Sequence, residues 1–180
     1  MGILLAFAPF IVFAVLAHFT SAPISLAAGT AVAAILVARD YLGTKRSPKI
    51  LEVGTFVLFA ALTLFTWLQA SSISIIAVRV CVDAGLLLIV LLSMLVGRPF
   101  TLQYAKEEVA AELWNTPRFK RTNYVLTCAW AAAFAIIVLA DLVLMFEPQM
   151  PRRFGVIAIA LALTGAFKFT QWYPDHVRGP

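Results

Sequence analysis

Five ionisable residues stand inside long apolar stretches, and they are the strongest indication of chemistry in this chain. They are Glu52, Arg79, Asp83, Asp141 and Lys168. A charged side chain at the centre of a membrane-spanning helix costs about 2.5–3.5 kcal/mol on insertion scales, so such residues mark either helix pairing or function. Arg79 and Asp83 are four residues apart, which places them on one face of a helix.

Opposite charges at matched depths predict two ion pairs between helices. Asp141 lies at the depth expected for Arg79, and Glu52 lies at a depth similar to that of Lys168. Asp83, near the middle of its span, is then either a second partner for Arg79 or a group that carries protons or contacts a substrate. In the alternative interpretation all five charges only pair and orient helices, with Lys168 and Glu52 reaching to the nearby interface.

The other reactive residues predict little chemistry. Cys81 and Cys128 lie inside apolar runs and form no CxxC motif, which favours small buried packing residues. His18 and His176 fall on opposite sides of the predicted membrane and cannot share a metal or a haem. There is no nucleophile with a base, no P-loop and no dinucleotide motif. The sequence therefore predicts no enzyme activity, no cofactor and no metal.

The elements that must position these residues are six long apolar runs. Hydrophobic residues make up 62% of the 180 residues, charged residues 13%, and the mean hydropathy is +0.94. A soluble domain is nearer half apolar and a quarter charged, so lipid must be the solvent. We predict an all-α, polytopic transmembrane bundle, a single integral membrane domain over 1–180, with spans at 2–19, 25–38, 50–69, 75–97, 124–146 and 154–173. The first two runs are short for a ~30 Å hydrocarbon core, and five spans is the alternative.

Loop charges predict the orientation. One side of the predicted membrane carries Arg39, Lys45, Arg46, Lys49, Arg98, Lys106, Arg118, Lys120, Arg121 and Arg178, and the other carries Arg152 and Arg153. Because Lys and Arg in short loops stay in the cytoplasm, both termini are predicted to be cytoplasmic, which agrees with an even number of spans. The net charge of +5 therefore reflects topology, and no nucleic-acid partner is predicted.

The loop over 98–123 is the one sizeable polar segment, and it contains a predicted amphipathic helix, Thr101–Trp114, along the inner membrane face. Four apolar residues share one side of that helix: Leu102, Ala105, Val109 and Leu113. Thr101 can cap its start, and Pro117 lies just beyond its end. The segment is either a connector that keeps two helical hairpins in register or a docking surface that uses Lys106, Glu107, Trp114 and Arg118.

Short motifs are spread thinly over most of the chain. They are Phe7-Ala8-Pro9-Phe10, Thr55-Phe56, Leu62-Thr63-Leu64-Phe65, Arg98-Pro99, Lys106-Glu107, Trp114, Asn123 and Ala129-Trp130-Ala131 with Phe134. In these motifs the chain resembles the intracellular septation protein A family of small bacterial inner-membrane proteins, whereas 117–122 add length that the family pattern lacks. The resemblance implies a non-enzymatic envelope protein linked to septation and to cell-wall or membrane maintenance, and it supplies no catalytic residues.

We therefore expect a multi-pass protein of the bacterial inner membrane that supports septation, cell division or envelope maintenance through protein–protein contacts. Its expected partners are the lipid bilayer, envelope or division membrane proteins, and a second copy of itself in a homodimer. The alternative is a small ion- or proton-coupled transporter or channel that uses Arg79, Asp83 and Asp141.

Overall fold

The computed structural model describes residues 2–43, 49–69, 73–147, 149–151 and 153–178. Three cations that contribute to the predicted orientation lie outside the described residues: Lys45, Arg46 and Arg152. The chain forms two compact units, Met1–Ile89 and Val90–Pro180, and each is described by itself. The single domain expected from the sequence stays a prediction.

The described residues form α-helices and one 3₁₀-helix, with no β-strand among them. The helices are α1 Gly2–Ala6, α2 Ala8–Leu16, α3 Ala22–Gly43, α4 Ile50–Leu68, α5 Ile75–Leu95, α6 Phe100–Ala105, the 3₁₀-helix Ala111–Leu113, α7 Pro117–Phe146 and α8 Arg153–Arg178. The predicted all-α class is confirmed.

Five helices in the described part of the chain are long and apolar enough to cross a membrane. They are α3 to α5, α7 and α8, over Ala22–Leu42, Ile50–Leu68, Ile75–Leu95, Pro117–Phe146 and Arg153–Val177. At 1.5 Å per residue, the shortest of these rises about 28 Å, close to the ~30 Å hydrocarbon thickness. The protein has the helices of a multi-pass membrane protein.

The first predicted span, 2–19, is divided into two short helices. Pro9 has no N–H to donate, and its ring crowds the carbonyl of Leu5, so the helix is interrupted at Phe7. The Phe7 amide instead donates to the Leu4 carbonyl three residues earlier, at 3.2 Å. The nine residues of α2 rise only about 13 Å, so α2 cannot cross a membrane alone.

The core of the first unit centres on Phe59 of α4, which is fully buried. The rings of Phe10 and Phe13 from α2 meet it edge-on, with centroids 5.1 and 5.8 Å away. On the α3 side, a Cβ atom at Gly29 would lie 2.5 Å from Phe59 Cε1. The ring therefore occupies the space that any larger residue at position 29 would need, and α2, α3 and α4 pack around it. The Thr30 and Thr63 hydroxyls, 2.9 Å apart, join α3 to α4 near the same level.

In the second unit, α7 and α8 form an antiparallel hairpin. The Trp130 indole donates to the Thr170 hydroxyl at 2.9 Å, and Thr170 in turn donates to the Ala166 carbonyl. Near the turn, a Cβ atom at Gly155 would lie 2.5 Å from Leu144 Cδ1, so the two helices approach closely there.

The amphipathic helix predicted over Thr101–Trp114 is wrong beyond Ala105, where α6 ends. Thr101 does not cap a helix start, because its hydroxyl is hydrogen-bonded to residues of α7. It donates to the Asn123 carbonyl at 2.8 Å and lies 2.8 Å from the Thr127 hydroxyl. That docking buries α6 against α7, and the chain then becomes extended at Ala110 before the 3₁₀-helix.

The helix that contains the fifth predicted span begins before that span, at Pro117 instead of residue 124. The Thr116 hydroxyl accepts from the Phe119 amide at 3.3 Å and caps the helix, while Pro117 occupies the first helical position. The polar loop predicted over 98–123 therefore ends at Thr116. The second span is also longer than predicted, because Pro23 is accommodated in the first turn of α3.

Candidate functional site

A buried ionic cluster joins the end of α3 to the start of α4. The ammonium of Lys49 donates to Asp40 Oδ2 at 2.7 Å and lies 3.4 Å from Glu52 Oε1. All three residues are nearly inaccessible, with exposures of 4% for Asp40, 6% for Lys49 and 3% for Glu52. The lysine therefore bridges two buried carboxylates.

Helix geometry positions the three members. Lys49 is the residue preceding α4, with an extended backbone whose carbonyl accepts from the Val53 amide at 3.0 Å. Glu52 follows three residues later, in the first turn, so its carboxylate lies over the Lys49 side chain. Asp40 lies in the last turn of α3, and the packing of α3 on α4 brings it to the same ammonium.

Arg39 adds a second cation to this set. Its guanidinium donates to Asp40 Oδ1 from Nη2 at 2.8 Å and from Nε at 3.1 Å, and its side chain is 45% exposed. The four residues carry two positive and two negative formal charges, a sum of zero. We name this set, Arg39, Asp40, Lys49 and Glu52, the α3–α4 ionic cluster.

Charge neutrality decides what the α3–α4 ionic cluster does to stability. Burying an ion pair gives little net stability compared with apolar residues, but removing one member leaves an uncompensated buried charge at a cost of about 3–5 kcal/mol. The cluster therefore specifies how α3 and α4 pack, because sliding one helix along the other would leave a carboxylate buried without its cation. Its chemistry is that of a clamp between two helix ends.

The structure places the five predicted intramembrane charges in different surroundings. Arg79 and Asp83 are both half-buried on α5, and Asp141 of α7 is buried, with 1% exposure. Glu52 belongs to the α3–α4 ionic cluster, and Lys168 is exposed on α8. The predicted pairs Arg79–Asp141 and Glu52–Lys168 each join the two compact units, and they stay predictions.

The predicted contact residues of the polar loop make local contacts. Lys106 lies over the Trp114 ring, with its ammonium 5.2 Å from the centroid, and the Trp114 indole donates to the Val109 carbonyl at 2.9 Å. These contacts close the chain between α6 and the 3₁₀-helix into a compact loop. Glu107 is exposed beside it, and Arg118, in the first turn of α7, donates to the Val177 carbonyl of α8.

Sequence reasoning missed Asp40 and Lys49 as site residues. Asp40 lies just beyond the predicted span 25–38, and Lys49 enters only as one of the cations that predict the orientation. The signal that could have found them is the i, i+3 spacing of Lys49 and Glu52 at a helix start, together with an acid at the end of the preceding helix. That signal is weak, because the match depends on the packing of α3 on α4.

The thiols and imidazoles lie apart from the cluster. Cys81 and Cys128 are exposed, so the prediction that they are buried packing residues is wrong. The Nδ1 atom of His18 lies 2.8 Å from the Ala14 carbonyl oxygen. The ring of His176 stacks on the ring of Trp172, with their centroids 4.5 Å apart. No group of three or more His, Cys, Asp or Glu side chains among the described residues could hold a metal ion.

Comparisons of the chain with models of known families, with curated proteins and with solved structures find no match.

Proposed function

We propose that this chain is a non-enzymatic protein of a bacterial inner membrane that supports septation or envelope maintenance through contacts with other membrane proteins. The observation that carries the proposal is the α3–α4 ionic cluster. It holds two carboxylates, an ammonium and a guanidinium in a neutral set of direct contacts, which suits a fixed scaffold. A site that carries protons or ions must instead gain and lose charge during its cycle. The sequence motifs listed above support the septation role.

Other polar side chains within the helices support the same proposal. The hydroxyls of Thr30 and Thr63 join α3 to α4, and the indole of Trp130 donates to Thr170 between α7 and α8. Hydrogen bonds of this kind stabilise helix contacts in lipid by roughly 0.6 kcal/mol each. Polar residues used in this way fix the helices that they join.

We propose six crossings with both termini in the cytoplasm, of which α1 and α2 together form the first. The 15 residues over 2–16 rise about 22 Å, and the hydrogen-bonded turn at 17–19 extends that reach toward the ~30 Å core. Proline breaks such as that at Pro9 are tolerated in membrane helices because neighbouring helices supply contacts. In the alternative with five crossings, the N-terminus lies on the opposite side.

A transporter is the second candidate, and one observation favours it. Arg79 and Asp83 are four apart on α5, at membrane depth, and both are only half-buried. Ionisable groups at that depth are typical of ion pathways. A subunit of this size would then need a second copy to enclose a path.

Complementation distinguishes the two candidates. A strain deleted for this gene is given wild-type protein or Asp83→Asn at matched membrane abundance, and cell shape and envelope integrity are scored. The scaffold predicts rescue by Asp83→Asn, because the amide keeps the volume and a hydrogen-bonding oxygen. Failure to rescue despite normal insertion would contradict the scaffold and favour transport.

A further inference from the structure

The start of α7 carries three cations that have no acidic partner in its first turn. Arg118, Lys120 and Arg121 are all exposed, and neither Lys120 nor Arg121 makes an ion pair with a residue that the structure describes. Arg118 donates to the Val177 carbonyl of α8, which ties this end of α7 to the end of α8. We name these three residues the basic patch.

The position of the basic patch is electrostatically unfavourable within the protein alone. The N-terminal end of a helix carries a partial positive charge, so cations in its first turns are disfavoured. The first turn of α7 contains no acidic residue to offset them. Negative charge from outside the chain would therefore stabilise this end of α7.

The basic patch lies at the end of two membrane-spanning helices, beside a set of stacked rings. At the end of α8, Phe169 stacks on Tyr173 at 5.1 Å, and Trp172 stacks on His176 at 4.5 Å. Trp and Tyr are favoured at the level of the lipid headgroups, because one part of the ring is apolar and the other is polar. We therefore expect the cations and the rings to lie at the level of the lipid headgroups.

We propose that the basic patch binds the headgroups of anionic phospholipids, with Lys120 and Arg121 contacting the phosphates. Basic residues next to a membrane-spanning helix attract anionic lipids in this way. The neighbouring Trp172 and Tyr173 favour lipid, because such rings are typical of helix ends at the headgroup level. This inference is independent of the septation role, since a scaffold and a transporter would both expose the patch.

The test measures lipid selectivity of the full-length chain in phosphatidylcholine vesicles. Spin-labelled phosphatidylglycerol and spin-labelled phosphatidylcholine are compared by electron spin resonance, which gives the ratio of their association constants with the protein. We expect the wild-type chain to prefer phosphatidylglycerol on the order of fivefold, and the preference to decrease in high salt. In Lys120→Gln/Arg121→Gln the ratio should fall to about one. Arg118 is left intact because of its bond to α8.

The matched control is Arg152→Gln/Arg153→Gln, which removes the same charge before or at the start of α8. It should keep the wild-type ratio. The proposal is overturned by a wild-type ratio of one, by a preference that survives in Lys120→Gln/Arg121→Gln, or by an equal loss in the control. The wild-type chain in phosphatidylcholine vesicles is also tested for binding of RNA and of poly-glutamate. If it binds either one, loses that binding in the double variant and shows no phosphatidylglycerol preference, the patch is assigned to an acidic macromolecule instead.

Discussion

Single side chains in this protein matter most where a charge is buried, and Lys49 is the clearest case. It contacts both Asp40 and Glu52 in the α3–α4 ionic cluster. Arg39 contacts Asp40 and its side chain is 45% exposed, so its charge is partly screened by solvent. The two cations therefore differ in what their loss would leave behind.

Replacing Lys49 with methionine should strongly destabilise the protein. The substitution keeps the length of the side chain but leaves two buried carboxylates without their shared ammonium, at a cost of about 3–5 kcal/mol. Unfolding of the purified chain in detergent, followed by circular dichroism, measures the loss. The control, Arg39→Met, should cost less than about 1 kcal/mol. Equal stability of Lys49→Met and wild type would show that the carboxylates do not depend on Lys49.

Gly29 is the second residue whose identity is fixed by its surroundings. Phe59 is fully buried and meets Phe10 and Phe13 edge-on, so it has no room to move away from an added methyl group. Gly29→Ala should therefore destabilise the protein by about 1–3 kcal/mol, despite the better helix propensity of alanine.

The comparison for Gly29→Ala is Gly165→Ala in α8, where an added Cβ atom meets nothing within 4 Å. That substitution should be neutral or stabilising by up to about 1 kcal/mol. Both variants are measured by the same unfolding assay. If Gly29→Ala were as stable as Gly165→Ala, the close approach of α3 to Phe59 would be wrong.

At the scale of elements, the long apolar runs were predictable and their ends were not. The helices α4 and α5 fall within two residues of their predicted bounds, because uninterrupted apolar sequence leaves no alternative in lipid. The start of α7 was missed, although Thr116 and Pro117 are a helix-start signal, because the polar residues after them suggested a loop. Periodicity alone favoured a long helix after residue 100. The docking of Thr101 on α7 ends that pattern, and such tertiary contacts are not readable from spacing.

The Thr116 cap predicts a modest effect on α7. Thr116→Ala removes the acceptor for the Phe119 amide and should cost about 1 kcal/mol, with the first turn of α7 most affected. Hydrogen–deuterium exchange over 117–121 measures the local loss of protection. Thr116→Ser, which keeps the hydroxyl, should exchange like wild type. Unchanged exchange in the alanine variant would mean that α7 starts independently of this cap.

For the whole molecule, the side of the membrane on which each terminus lies is the first unknown. Six crossings predict that reporters fused to the N-terminus and to the C-terminus both give cytoplasmic signals. Alkaline phosphatase and green fluorescent protein fusions at each terminus measure this, because the first is active only outside the cytoplasm and the second fluoresces only inside. An N-terminus outside with a C-terminus inside would mean that α1 and α2 do not cross, and that five spans is the correct count.

The candidate site was only partly predictable at this scale. Glu52 could be selected because it is charged within an apolar run, but its partner could not, since Lys49 and Asp40 are brought to it by the packing of α3 on α4. The charges of the cluster come together only when α3 packs on α4, so they cannot be assigned to one another from the sequence.

The central claim is that the α3–α4 ionic cluster is a structural clamp and performs no chemistry. The most direct measurement is complementation of a deletion strain by Asp40→Leu/Lys49→Met/Glu52→Leu, which replaces the buried charges with apolar residues of similar size. Because a buried ion cluster can be exchanged for apolar packing at little cost, we predict a stable protein that restores cell shape and envelope integrity at wild-type abundance. A variant that folds and inserts normally but fails to complement would contradict the claim, because the charges themselves would then be required.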